Sequence, residues 1–122
     1  MSHNEQLAER YIASWNETDP LRRRMLIENV YAERIAYVDP MVQSKGWEAI
    51  DATIAAVQGM FPGHRFSLGG AVDAHHDTMR FTWHLTAPGS QEPLVIGFDV
   101  ATVEDGRIRE VYGFLDRVPA MP

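Results

Sequence analysis

Apolar residues recur along this chain with two different periods. Up to Phe61 the spacing is helical: Leu7, Tyr11 and Trp15 fall at i, i+4 and i+8, widened by Ala8 and Ile12. Ser2 and Glu5 stand ahead of this stripe at capping-box spacing, which predicts a first helix ending near Asn16. Asp19-Pro20 supplies an N-cap and a proline at the first helical position. A short second helix is therefore predicted, fading near Val30, with Leu21, Met25 and Leu26 inward and Arg22, Arg23 and Arg24 outward. Ile35 to Val38 reads as a short strand stopped by Asp39-Pro40, with Asp39 on the face of Ile35 and Tyr37. A third helix follows Gly46, with Ile50, Ile54, Val57 and Phe61 on one face, and Pro62-Gly63 ends it.

From His64 the period becomes two. Phe66, Leu68 and Val72 alternate across a Gly69-Gly70 pair that suggests a bulge or bend. Met79, Phe81, Trp83 and Leu85 alternate with Arg80, Thr82, His84 and Thr86. Pro88-Gly89 turns the chain into the run from Leu94 to Val103, and Asp105-Gly106 is a hairpin signal leading to a last strand from Arg107 to Arg117. Helices followed by mainly antiparallel strands predict an α+β fold: a strongly curved sheet wrapped over three N-terminal helices.

The run Leu94 to Val103 contains one residue that does not suit it. Asp99 sits mid-strand among apolar neighbours, and burying a lone carboxylate costs several kcal/mol unless it is paired, hydrogen-bonded or protonated. Either an arginine such as Arg10, Arg34 or Arg65 pairs with it, or it faces a cavity and does chemistry there. Its face carries Gly97, Ala101 and Val103. The opposite face carries Ile96, Phe98 and Val100, too apolar for water, which predicts a homodimer through the outer sheet face.

The register of the last strand has two solutions. A strict two-residue turn at Asp105-Gly106 pairs Asp99 with Tyr112. Burying both Ile108 and Val111 instead requires a bulge at Arg109-Glu110, after which Val111, Gly113 and Leu115 face inward and Tyr112 joins Phe98 and Phe114 on the dimer face. The bulge is preferred because Arg109 and Glu110 make a natural exposed pair, but the sequence leaves both open.

Composition narrows the functions. The 122 residues carry no linker-like tract, so one domain spanning 1–122 is expected, and 45% hydrophobic with 23% charged residues describes an ordinary globular protein. With no cysteine there is no disulfide, thiolate metal site or thiol nucleophile, and a cytoplasmic setting is favoured. A formal charge of −6 argues against nucleic acid, no apolar run is long enough for a membrane span, and the polar start does not resemble a signal peptide. Phosphate-binding, dinucleotide, serine-hydrolase and zinc-protease motifs are absent. His75-His76-Asp77 reads as a surface turn rather than a metal site, since adjacent strand residues face opposite ways. His64 reads as a loop residue, and His84, alternating away from Trp83, as an interface position.

Asp39, Asp99 and Tyr11 remain as candidate chemistry. Together with RYIASWNETD from Arg10, AYVDP from Ala36 and VIGFD from Val95, they make the chain resemble the SnoaL-like and ketosteroid isomerase-like family, of the nuclear transport factor 2-like fold. The resemblance implies a cone enclosing one deep apolar pocket. It implies that Asp39 is a general base, that Tyr11 and a protonated Asp99 form an oxyanion hole, and that neither metal nor organic cofactor is needed. Trp15, Tyr37, Phe61, Phe81 and Trp83 are the aromatic candidates for the substrate wall. Trp15 and Trp83 narrow it, which favours a molecule smaller or flatter than a steroid. The implied function is a cofactor-independent isomerase, cyclase or hydrolase acting on a small apolar carbonyl- or polyketide-like compound. The alternative is a non-catalytic small-molecule-binding or partner-binding domain of the same fold.

Overall fold

The computed structural model describes residues 2–119. Three helices, α1 (His3–Asn16), α2 (Pro20–Val30) and α3 (Trp47–Met60), lie against a curved sheet of seven strands. The strands are β1 (Tyr31–Val38), β2 (Gln43–Lys45), β3 (Arg65–Leu68), β4 (Asp73–His75), β5 (Thr78–Thr86), β6 (Pro93–Glu104) and β7 (Arg107–Arg117). Their order is β2-β1-β7-β6-β5-β3, with β4 also paired to β5, and the β1–β7 pair is the parallel one. The sheet is open, mixed and wrapped on its inner face by the helices, as the periodicity predicts.

The helix ends form for the predicted reasons. Ser2 Oγ accepts from the Glu5 amide at 3.1 Å, and Asp19 Oδ2 accepts from the Arg22 amide at 2.9 Å with Pro20 at the first helical position. The interior of α2 differs from the prediction. Leu21 and Met25 are 79% and 72% exposed, whereas Arg23 is only 5% exposed. Arg23 Nε donates to Asp51 Oδ1 at 2.6 Å, and Nη1 reaches Gln58 Oε1 at 3.0 Å and the Glu17 carbonyl at 3.3 Å. The helix is rotated so that Arg23, Ile27 and Val30 face inward, because a fork of donors with three acceptors, the Glu17 carbonyl that caps α1 and the side chains of Asp51 and Gln58 on α3, outweighs two exposed apolar side chains. Arg23→Ala leaves Asp51 without its partner and should lower stability by about 2–3 kcal/mol in urea unfolding; a loss under 0.5 kcal/mol would show the network to be dispensable.

Two strand boundaries also depart from expectation. β1 begins at Tyr31 directly after α2, four residues before Ile35, and β2 is an added short strand pairing Gln43–Lys45 with Ala36–Val38. At Gly69-Gly70 the edge divides into β3 and β4, both of which pair with β5, so the interruption is sharper than a bulge. A Cβ at Gly69 would lie 2.6 Å from His84 Nε2, so the glycine leaves room for the imidazole. His75 and His76 flank the β4–β5 turn, both exposed, with His76 at φ 51.

The last hairpin settles the register. Asp105 and Gly106 carry φ of 52 and 78, the left-handed pair that a two-residue turn of this hand requires. Val103 pairs with Ile108 but Thr102 with Glu110, so Arg109 is the extra residue, and its Nη1 donates to the Arg34 carbonyl at 2.7 Å. Ile108, Val111 and Gly113 are consequently buried, and Asp99 lies opposite Gly113. Tyr112 and Phe114 stand on the outer face beside half-buried Ile96, Phe98 and Val100, Phe114 at 56% exposure.

Candidate functional site

Asp99 occupies the middle of the inner sheet face, between Phe81 on β5 and Gly113 on β7. It is 2% exposed. None of the three ion pairs among the described residues includes it, and Arg10, one of the arginines considered as a partner, instead donates to Asn29 at 2.7 Å. Its partner is Tyr11 of α1, whose hydroxyl donates to Asp99 Oδ2 at 2.8 Å. Burial pushes the Asp99 carboxyl from an ordinary 3.8 up to about 6; Tyr11 and the neighbouring Trp83 indole hold it partway down, and the negative charge of Asp39 adds to the rise.

Asp39 follows β1 and extends the same row across the sheet. A Cβ at Gly113 would lie 3.0 Å from Asp99 Oδ1 and 3.2 Å from Asp39 Cβ, so the two acids flank the one inner-face position without a side chain. Both Asp39 oxygens are engaged. Oδ2 accepts from the Tyr37 hydroxyl at 2.6 Å, and Oδ1 accepts from the amides of Met41 and Val42 at 2.8 and 3.0 Å. The turn that Pro40 initiates thus presents its own amides to the carboxylate.

Aromatic rings pack continuously around the acids. Tyr11 lies edge-on to Phe81 at 5.6 Å and to Tyr31 at 5.8 Å; Trp15 approaches Tyr37 and Phe66, each at 5.7 Å; Phe66 meets Trp83 at 5.4 Å. Trp83 lies over Gly97, its cross-strand partner. Burial raises the pKa of Tyr11, Tyr31 and Tyr37, reinforced for Tyr11 by the Asp99 charge and for Tyr37 by its bond to Asp39. All three phenols therefore stay protonated at neutral pH.

Of the residues singled out in the sequence, Tyr11, Asp99, Phe81, Trp15, Tyr37 and Asp39 meet in this interior, and Trp83 borders it. Phe61 does not. It ends α3, stacks on His64 at 5.4 Å and lines, with Trp15, Gln58 and His64, a cleft of about 440 Å³ where α1 and α3 end. A second cleft of about 170 Å³ lies between β1, β2 and β7. Neither cleft is lined by Tyr11, Asp39 or Asp99. Tyr31 and Ser14 were missed. Tyr31 shares the odd-numbered alternation of Ile35, Tyr37 and Asp39, but charged Glu33 interrupts the pattern; Ser14 is polar and gave no apolar signal on α1.

The architecture and the site define an α+β protein with a curved sheet that buries a hydrogen-bonded acid. The chain belongs to the SnoaL-like domain family, whose profile matches residues 8–111. It is similar to a SnoaL-like family protein from Agrobacterium tumefaciens, named as a candidate isomerase, at 42% identity and TM-score 0.90 over 96% of this chain and 100% of that one. A SnoaL-like candidate polyketide cyclase from Jannaschia sp. CCS1 shares the fold at 19% identity and TM-score 0.75, over 93% and 85% of the two chains. So does a ketosteroid isomerase-like protein from Catenulispora acidiphila in complex with trimethylamine, at 17% identity and TM-score 0.69 over 88% and 82%. A comparison with curated proteins finds no match. Among the described residues no helix is long and apolar enough to cross a membrane, and no group of three or more His, Cys, Asp or Glu could hold a metal ion.

Proposed function

We propose that this protein is a cofactor-independent acid/base enzyme of the isomerase or cyclase type, acting on a small apolar carbonyl- or polyketide-like molecule held among its interior aromatics. The observation that carries this reading is the buried Tyr11–Asp99 hydrogen bond with Asp39 beside it, and neither acid in an ion pair among the described residues. A carboxyl raised to about 6 exchanges its proton near neutral pH, which suits an acid/base role better than a structural one. In the proposed reaction Asp39 takes a proton α to the carbonyl, while Tyr11 and protonated Asp99 donate to the enolate oxygen; the proton then returns from Asp39 to the α-carbon or, where the substrate is β,γ-unsaturated and forms a dienolate, to the γ-carbon. The isomerase and cyclase names borne by SnoaL-like relatives support the reaction class.

The test is NMR-followed deuterium exchange at the α-carbons of a panel of small cyclic ketones. The protein should accelerate exchange of at least one, and Asp39→Asn or Asp99→Asn should each lower the rate about a hundredfold or more. Rates unchanged in both variants would overturn the proposal. A second reading, a non-catalytic binding protein, is favoured by the full engagement of Asp39, which accepts three hydrogen bonds as a turn residue does. It requires a ketone to bind with no exchange at all.

The outer sheet face is proposed as a homodimer interface, because Phe114, Tyr112 and Val118 are exposed large residues on or beside a face that also carries Ile96 and Phe98. Light scattering at micromolar concentration should give twice the 13.8 kDa chain mass, and Phe114→Asp should give the single-chain mass. A monomeric wild type would remove the interface. The proposed setting is cytoplasmic, in keeping with a chain free of cysteine.

A further inference from the structure

The proton of every buried phenol in the interior is already committed. Tyr11 gives its own to Asp99 at 2.8 Å and Tyr37 to Asp39 at 2.6 Å. Ser14 Oγ donates to the Tyr11 carbonyl at 2.6 Å, and a hydroxyl has one proton, so the 2.8 Å Ser14–Tyr31 bond takes the Tyr31 proton. The Trp83 indole neighbours Asp99. One donor is left over. Trp15 Nε1 is the single buried side-chain nitrogen or oxygen without a hydrogen-bond partner among the described residues.

An unpartnered donor in a dry interior is costly, and natural folds keep few of them. Trp15 is only 6% exposed, so solvent does not relieve it. The indole lies close enough to the Tyr31 hydroxyl to ease it towards ionisation, yet its N–H does not reach hydrogen-bond geometry there. The Trp15 ring packs near Tyr37 at 5.7 Å and Tyr11 at 6.3 Å, and Trp15 also lines the 440 Å³ cleft, which has room for a small ring compound.

We propose that Trp15 receives the acceptor oxygen of the bound molecule, so that the site selects small cyclic compounds carrying a carbonyl-type oxygen over their hydrocarbon counterparts. This assignment rests on the reading of the interior as the ligand site. A ligand oxygen bonded to Trp15 Nε1 satisfies the orphaned donor without breaking any bond the free protein makes. Reaching Tyr11 or Tyr37 first would require breaking the hydrogen bond that the phenol donates to Asp99 or Asp39. Trp15 is thus the initial anchor, and its ring orients the molecule towards the acids.

The experiment compares cyclohexanone with methylenecyclohexane, which has the same ring and no oxygen. The chain has three tryptophans and so three indole N–H signals in a 15N-resolved spectrum. Cyclohexanone should move the Trp15 indole proton downfield and methylenecyclohexane should not. Trp15→Phe should weaken cyclohexanone binding about tenfold relative to methylenecyclohexane. That ratio cancels whatever packing the smaller ring loses, and the spectrum of the wild type does not depend on how the variant folds. A Trp15 indole proton unmoved by bound cyclohexanone, or an unchanged affinity ratio in Trp15→Phe, overturns this assignment and leaves the interior as a ligand site. Failure of both probes to shift any interior signal overturns the ligand-site reading and this inference with it.

Discussion

Asp99→Asn is expected to stabilise the fold at neutral pH while removing the activity proposed for it. The unfolded chain releases this proton near 3.8 and the folded chain near 6. Below the lower value both states hold the proton and Asp99 costs nothing through its charge. As pH rises through the window between them, the unfolded state ionises freely and the folded state must place a charge in an apolar wall, so stability falls. At about 1.4 kcal/mol per pH unit of separation, roughly 3 kcal/mol is lost by the time pH passes 6. Asparagine keeps an acceptor for the Tyr11 hydroxyl and never ionises. Urea unfolding of both proteins between pH 4 and 8 should show the variant gaining on the wild type by about 3 kcal/mol as pH rises, with the gap closing near pH 4. A gap independent of pH would mean that the acid does not titrate in the fold, and the stored cost would have no connection with a reaction. An acid that destabilises the fold near neutral pH fits a site built for chemistry rather than for stability.

The second large effect concerns a residue with no side chain. An added Cβ at Gly97 would sit 2.0 Å from Trp83 Cζ2 and 2.2 Å from Cε2, far inside any real contact. The indole lies flat over the glycine because β5 and β6 place the two directly opposite, and it is held against Phe66 on its other side. Gly97→Ala must therefore displace the whole ring, and it is expected to cost about 3 kcal/mol despite the better strand propensity of alanine. The double variant Gly97→Ala with Trp83→Phe should recover most of this, since the smaller ring frees the space. Thermal unfolding of the four proteins of this cycle measures the coupling. Additive losses would show that the ring accommodates the methyl group elsewhere.

Much of the scaffold was legible before any coordinates. The two periods, the caps at Ser2 and Asp19, and the positive-φ pair Asp105-Gly106 are local signals, and local physics suffices to read them. The bulge at Arg109 followed from requiring Ile108 and Val111 both to be buried. Where the reading failed, a distant partner decided. Arg23 faces inward because Asp51 and Gln58 lie on another helix, and no pattern within α2 contains that information. Tyr31 was hidden by Glu33, and the added strand β2 exists only because β1 offers it an edge.

The site divides in the same way. Mid-strand Asp99, the Asp39-Pro40 turn and Tyr11 on an apolar stripe stand out by residue type and position, and the sequence by itself determined that the chain is an α+β protein of the SnoaL-like kind with an anomalous acid in its sheet. Only the tertiary structure decided what that acid touches. It joined Asp99 to Tyr11 across 88 positions, brought Asp39 to the other side of Gly113, spent each phenol proton on a named acceptor and left Trp15 with none. The physical reason is that hydrogen bonding is a matter of pairing. A sequence shows which donors and acceptors exist, but which of them go unpaired is settled when the chain has closed around them.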